Sequence, residues 1–283
     1  MSTIRHEGVD RVQDTARWVA MARALESERL DAVFRDPFAR KLAGPRGEEL
    51  VGLSRMTGGT WPLVARTYLI DERVARAVGE GADAVVNLAA GLDTRPYRLD
   101  VPRTLTWIEV DHADVIEEKE ALLRGEAPRC SLERVSMDLS HVAERRALFD
   151  DVRRRFRRTL VITEGLLMYL ARETALALAE DLLRAAPFRW ITDLHNAAVN
   201  AYIAKRAPSF LRGTATMQFA ADEGPLVFAG LGWRTISAAS SFKTAGRLKR
   251  LPFPMRLFSW LPEKPHGTPG RPWAGVCVLE PER

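Results

Sequence analysis

From residue 82 onward, short apolar runs alternate with longer amphipathic stretches. The runs predict strands over Asp83–Ala90, Thr104–Asp111, Leu132–Asp138, Thr159–Glu164, Arg189–Leu194, Trp233–Ala238 and Ala274–Leu279. Between them, helical spacing covers His112–Arg124, Val142–Phe156 and Arg172–Ala185. Repeated strand–helix units imply a parallel sheet with helices on both faces. The first eighty residues carry no strand pattern. Asp14 is placed to cap a helix running to Leu25, and Phe34–Phe38 reads as a turn into a short helix with Pro37 near its first position. A break at Gly58-Gly59 precedes a helix over Pro62–Val78. Residues 196–231 interrupt the alternation with two helices and a loop, and helices inserted there lie over the ligand crevice of such sheets. After residue 239, six prolines (252, 254, 262, 265, 269 and 272) mark irregular chain. The expectation is one α/β domain over residues 1–283, its sheet mostly parallel, with a helical cap from about 1–60 and about 196–231.

The 283 residues are enough to bury a large core without metal or disulfide staples. Cys130 and Cys277 lie far apart with no Cys-x-x-Cys pair, which fits a reducing cytoplasm and argues against zinc. His6, His112, His141, His195 and His266 show no metal-ligand spacing either, so no metal is expected. The net charge of +5 raises nucleic acid and membrane surfaces as partners. Its densest basic run, Arg153–Arg158, follows Asp150-Asp151 at a helix end, where cations are favoured. It therefore reads as a solvated helix terminus, and neither partner is expected. The first residues have no apolar core, and no apolar run approaches the roughly 18 residues of a membrane span. A cytoplasmic location is expected. Trp61, Trp233, Trp260 and Trp273 are expected in the core.

Chemistry concentrates at the predicted strand ends. Asn87-Leu-Ala89-Ala-Gly91 closes the first strand in small residues, which let backbone approach a ligand. Asp111 closes the second, twenty residues after Gly91, where an acidic side chain can accept hydrogen bonds from both ribose hydroxyls of a nucleoside. Asp138-Leu139 closes the third, offering a carboxylate for an exocyclic amine and an apolar face for a base. Glu164 closes the fourth. Three carboxylates on one crevice would repel a pyrophosphate, and no glycine-rich phosphate loop or Walker lysine is present. A nucleoside carrying a sulfonium and an ammonium fits better, which describes S-adenosylmethionine. Arg66 or Arg95 would meet its carboxylate. A surface Arg66 paired with Glu72 or Glu80 is the plainer alternative.

These residues resemble the leucine carboxyl methyltransferase family, in particular its bacterial small-molecule O-methyltransferase branch. The matching pieces are Ser27-Glu-Arg, Phe34-Arg-Asp-Pro-Phe38, Arg66-Thr-Tyr-Leu-Ile-Asp71, Asn87 to Arg95, Glu109-Val-Asp-His112, Asp138-Leu139 and Glu164-Gly-Leu-Leu-Met-Tyr-Leu170. The resemblance implies a Rossmann-like class I methyltransferase fold and S-adenosyl-L-methionine as cofactor. It implies that Arg66 meets a carboxylate of cofactor or substrate, that Gly91 lies under the cofactor, and that Asp111 holds the ribose. Asp138 and Leu139 would hold the adenine, and Glu164 the methionine amino end. The family often has glycine where this chain has Ala89, and a methyl group there narrows backbone access. The branch is linked to secondary metabolism such as polyketide tailoring.

The expected reaction is methyl transfer to an oxygen of a small molecule. An ionised carboxylate acceptor requires no base, whereas a phenol or alcohol makes one useful, and His195 is the candidate. A loop histidine bonded to backbone is the plainer reading of His195. Tyr169 is placed either to bond a substrate carboxylate or simply as a half-buried helix tyrosine. A protein C-terminal carboxylate is the rival acceptor, and a non-catalytic S-adenosylmethionine-binding protein the rival role. Nucleic-acid methylation is disfavoured because Glu164-Gly165-Leu166 replaces an Asp/Asn-Pro-Pro-aromatic motif. A nicotinamide dehydrogenase is disfavoured by the missing pyrophosphate loop.

Overall fold

The computed structural model of the chain describes residues 4–54, 59–206, 217–263 and 270–282. Three helices precede the sheet: α1 (Ile4–Ser27), α2 (Ala39–Ser54, kinked at Gly44-Pro45) and α3 (Trp61–Gly79). Then come β1 (Ala84–Leu88), α4 (Arg95–Arg98), β2 (Thr106–Asp111), α5 (Ala113–Leu122), β3 (Ser131–Ser136) and α6 (Val142–Arg155). The chain continues through β4 (Thr159–Thr163), α7 (Arg172–Leu182), β5 (Arg189–His195), α8 (Ala197–Arg206), β6 (Trp233–Ser240) and β7 (Ala274–Pro281).

The seven strands lie in the order β3-β2-β1-β4-β5-β7-β6. β1 to β5 are parallel, and β7 runs antiparallel between β5 and β6. The order reverses at β1, so the crevice expected for a ligand opens where β1 and β4 end. β1 and β4 are buried along their whole length, which explains their unbroken apolar runs. Alternate side chains serve opposite faces. Val86, Leu88, Ile108 and Val110 pack with Phe149, Leu178, Trp190, Phe228 and Trp233 on one face. Val85, Trp107, Leu160 and Ile162 pack under Leu69, Ile70 and Val74 of α3 on the other. Full burial of such side chains is worth roughly 1.5–3 kcal/mol each. A third cluster ties Met21 of α1 and Leu42 of α2 to Leu92 and Tyr97 beyond β1.

Several predicted boundaries move. α1 runs through Asp14, so Asp14 is not a cap; its carboxylate accepts from Arg46 Nη2 at 2.6 Å. Pro37 lies in a turn ahead of α2 rather than in a helix. The proline-rich tail holds a helix over Ser241–Arg247, capped by Ser240 Oγ, and a short one over Met255–Phe258. Trp233 and Trp273 are buried as expected, and Trp61 packs edge-on against Phe242. Trp260 is not core: it is 85% exposed, beside exposed Phe253, Leu257 and Phe258. Arg154 and Arg155 of the basic run pair with Asp151, as a solvated helix end should. Both cysteines are buried and free. Among the described residues no helix is long and apolar enough to cross a membrane, and no cluster suits a metal ion.

Candidate active site

The ends of β1, β2, β4 and β5 open on a cavity of about 540 Å³. Thr15, Trp18 and Val19 of α1 form one wall, Leu63 and Arg66 of α3 a second, and Val199, Tyr202 and Ile203 of α8 a third. A smaller cavity of about 160 Å³ shares Ala89, Asp111, His112 and Leu166 with the first, and continues to Asp138, Leu139 and Leu178. The two chambers therefore meet at Ala89 and Asp111. Of the predicted cap, α1 and α8 wall the larger chamber. The segment Gly224–Leu231 instead packs into the core through Phe228, which lies against Trp190 at 4.8 Å, while Leu226 is exposed. Residues 207–216, also within the predicted cap, lie outside the described residues.

Asp111 is the last residue of β2. Its Oδ2 accepts from the Gly91 N–H at 2.6 Å and its Oδ1 from the His112 N–H at 2.8 Å. Burial pushes its pKa up. Glu109, two residues earlier, is engaged elsewhere: Lys119 Nζ at 2.7 Å and Arg134 Nε at 3.0 Å neutralise it within the fold. β3 stops at Ser136, paired with Asp111, so Asp138 and Leu139 lie in the following loop rather than at a strand end. There Asp138 accepts from the Ser140 N–H at 2.8 Å, which lowers its pKa.

Ala89 takes φ +53°, a left-handed conformation uncommon outside glycine, and Gly91 takes φ +48°. The expected effect of Ala89→Gly is a gain of about 0.5–1 kcal/mol, since relief of left-handed strain outweighs the added freedom of the unfolded chain. Urea denaturation measures it; a loss of stability would show that the methyl group packs productively.

Glu164 follows β4 and carries a charge network. Arg95 Nη1 donates to its Oε2 at 2.7 Å, and Arg66 Nε forms an ion pair with its Oε1 at 2.9 Å without hydrogen-bond alignment. Arg66 Nη1 donates to Asp193 Oδ2 at 3.0 Å, and Asp193 Oδ1 accepts from the Gly165 N–H at 2.7 Å. Arg95 also donates to Asp71 at 2.6 Å and Asp93 at 2.8 Å, and Arg98 adds two bonds to Asp71. Arg95 is thus fully engaged within the protein and does not offer a cation to a ligand. Arg66 meets two protein carboxylates, not Glu72 or Glu80, which pair with Arg73 and Arg76.

Burial would raise Glu164, but Arg95 and Arg66 override it and hold the carboxyl below its usual range. Asp93 is buried too, and Arg95 with Lys119 holds it far lower. Depressed folded values contribute stability that is complete above the unfolded values and is lost as pH falls through the folded ones. Stability should therefore hold down to about pH 5, where unfolded carboxylates begin to take up protons, and decline progressively below it. Denaturant midpoints across pH 3–8 check this; a decline already complete at pH 5 would contradict the network.

His195 is the last residue of β5, not a loop residue, and is only 6% exposed. Burial lowers its pKa, against the opposing pull of Asp193. Its carbonyl accepts from the Ala221 N–H at 2.8 Å, while its Nε2 has no hydrogen-bond partner among the described residues. Tyr169 stands on a short 3-10 turn over Leu167–Tyr169, and burial raises its pKa. Sequence reasoning missed Asp193 and the bond from Arg95 to Asp71. Asp193 was readable: it precedes His195 by two, so a strand places both on one face.

The comparisons agree with this architecture. A protein of Mycobacteroides abscessus, provisionally named an S-adenosyl-L-methionine-dependent methyltransferase, is 35% identical over 187 residues, 59% of this chain and 60% of that protein. A Streptomyces avermitilis protein with the same provisional name is 34% identical over 143 residues, 45% of this chain and 50% of its own. The matches thus span less than two thirds of these relatives. Among solved structures, a DUF574 family protein from Streptomyces avermitilis superposes with TM-score 0.58 at 14% identity, covering 95% of this chain and 97% of that one. A protein from Thermobifida fusca, provisionally called a methyltransferase, gives 0.54 at 17% identity, covering 85% and 90%. The sheet and its helices are the Rossmann-like class I methyltransferase fold. Residues 16–183, more than half of the chain, match leucine carboxyl methyltransferase. On that match the chain belongs to the leucine carboxyl methyltransferase family.

Proposed function

We propose that this protein transfers a methyl group from S-adenosylmethionine to an oxygen of a small molecule. The observation that carries the reading is the charge balance at the chamber ends. Arg23, Arg66, Arg95 and Arg98 face Asp36, Asp71, Asp93, Glu164 and Asp193 in one network, four guanidinium groups against five carboxylates, and Asp111 adds another carboxylate. Such a surplus suits a ligand carrying sulfonium and ammonium charges and disfavours a pyrophosphate.

The paired chambers fit the parts of that molecule. Asp138 and Leu139 would take the adenine in the smaller chamber, and Asp111 the ribose at the junction. Glu164 would hold the amino end, with Gly91 beneath the ligand and Arg66 meeting the methionine carboxylate. Bound there, S-adenosylmethionine supplies a methyl group on a good leaving group, so the residues around it act mainly by positioning and by excluding water. The names of the relatives support the same cofactor. The acceptor would sit in the larger chamber against α1 and α8.

Titration calorimetry tests the cofactor reading. S-adenosylhomocysteine should bind and NADH should not. Absence of S-adenosylhomocysteine binding would sink the proposal, and a screen of carboxylate and hydroxyl acceptors tests the transfer itself.

A further inference from the structure

We infer that the acceptor is a neutral, largely apolar hydroxyl compound of the phenol class, and that the His195 imidazole receives its proton. This rests on the methyl-donor reading above. Three observations carry it, and the first is shape and polarity. Away from the charged strand ends, Trp18, Val19, Leu63, Met168, Tyr202 and Ile203 line the larger chamber, which suits a ring system.

The second is the state of the cations. Among the described residues, Arg23, Arg66 and Arg95 are the guanidinium groups on the chamber wall, and no lysine joins them. Arg23 Nε donates to Asp36 at 2.8 Å and its Nη2 to the Leu92 carbonyl at 2.6 Å. Arg66 bridges Glu164 and Asp193, and Arg95 is engaged by three carboxylates. With Arg66 taken by the methionine carboxylate of the donor, and Arg23 and Arg95 engaged within the protein, a carboxylate acceptor would enter an apolar chamber facing Glu164, Asp193 and Asp111 with no guanidinium of the described wall left to meet it. Desolvating an anion there is costly, whereas a neutral hydroxyl avoids that cost.

The third is His195. A buried polar atom without a partner costs about 1–3 kcal/mol and calls for an explanation. Nε2 of His195 and Oδ1 of Asn200 on α8 are two such atoms, and the His195 side chain, more than nine-tenths buried, forms part of the chamber wall. The groups facing the ring are Asp193 on its own strand, Arg66 on α3 and Asn200 on α8; burial, the largest influence, lowers the His195 pKa against the pull of Asp193 and a hydrogen bond with Asn200, which favours the neutral imidazole. A neutral imidazole has one basic nitrogen, which accepts a hydroxyl proton and supplies a general base. As the hydroxyl oxygen forms its bond to the methyl carbon, the carbon–sulfur bond breaks and its electron pair stays on sulfur. The hydroxyl proton passes to the His195 imidazole and then to solvent. The products are a methyl ether, S-adenosylhomocysteine and one proton.

Matched probes test this. 2-Naphthol and 2-naphthoate share a ring system and differ in charge at about pH 8, where a phenol remains largely protonated. Titrated into the S-adenosylhomocysteine complex, naphthol should bind at least tenfold more tightly than naphthoate, and with S-adenosylmethionine it should yield the methyl ether. His195→Gln should keep S-adenosylhomocysteine and naphthol affinity within about threefold while transfer falls roughly 10²–10⁴-fold, the usual worth of a general base. Wild-type kcat/KM should fall on acidification with an inflection below about 6.5, the ordinary histidine value, and His195→Gln should lose that inflection. Naphthoate binding as tightly as naphthol, neither probe binding, or His195→Gln retaining wild-type transfer would each overturn the inference. Failure of S-adenosylhomocysteine to bind would overturn the methyl-donor reading beneath it.

Discussion

Arg66→Lys should keep the fold and lose roughly a hundredfold in transfer rate, the scale of a misplacement of about 1 Å at a reacting centre. The charge is unchanged, so the loss isolates geometry. The Arg66 guanidinium reaches Glu164 through Nε at 2.9 Å and Asp193 through Nη1 at 3.0 Å, joining α3 to the ends of β4 and β5. A lysine ammonium is a single point and cannot span two carboxylates in this way. Glu164 would keep Arg95, but Asp193 would lose the only ion pair it makes among the described residues while still bonding the Gly165 N–H. If Arg66 holds the cofactor end of the site, S-adenosylhomocysteine affinity falls and acceptor KM changes little. If it holds an acceptor carboxylate instead, cofactor affinity stays and acceptor KM rises or kcat falls. The neutral acceptor inferred above gives the first outcome. Wild-type activity and affinity in a folded variant would remove Arg66 from the site.

Asp111→Ala should weaken S-adenosylhomocysteine binding by about 1–3 kcal/mol, the size of a lost charge-assisted hydrogen bond. Two effects combine. The ribose would lose its acceptor, and the Gly91 N–H would lose the oxygen that now stands 2.6 Å away, loosening the turn beneath the ligand. Asp111→Asn separates them, because an amide oxygen can still accept from Gly91 but brings no charge. The wild-type carboxyl is shifted upward by burial, so ligand affinity should decline on acidification before an ordinary aspartate would titrate. Calorimetry on both variants across pH measures all three effects. Unchanged affinity in folded Asp111→Ala would place the nucleoside elsewhere.

Much of the fold was legible because parallel strands buried on both faces leave unbroken apolar runs, as in Val85-Val86 and Leu160–Ile162. The acidic strand ends were legible for a related reason: Asp111 and Glu164 are polar residues set directly after such runs. The ion pairs were not, because they join distant segments. Arg66 and Asp193 are 127 residues apart, and nothing local in either segment names the other. Asp14 misled because a carboxylate suited to capping serves a tertiary ion pair with Arg46 instead. Asp138 was assigned to a strand because its neighbours are apolar, but β3 ends where its partner β2 ends. Strand order was the least readable feature, since β7 carries the same kind of apolar run as its parallel neighbours.

The position of β7 has a temporal consequence. Its first residues, Ala274 and Gly275, border the larger chamber, and Ala274 pairs with His195. A side chain on Gly275 would collide with the Ala239 carbonyl at 2.6 Å, so this junction is tightly fitted. During synthesis, β1 to β5 emerge first, and β5 remains an unpaired edge until the last strand arrives. A nascent chain stalled before residue 274 would therefore expose Ile191 and Leu194 and would lack one wall of its pocket. Ligand binding becomes a readout of the docking of β7 rather than of folding begun, and until then the free edge of β5 is open to other strands.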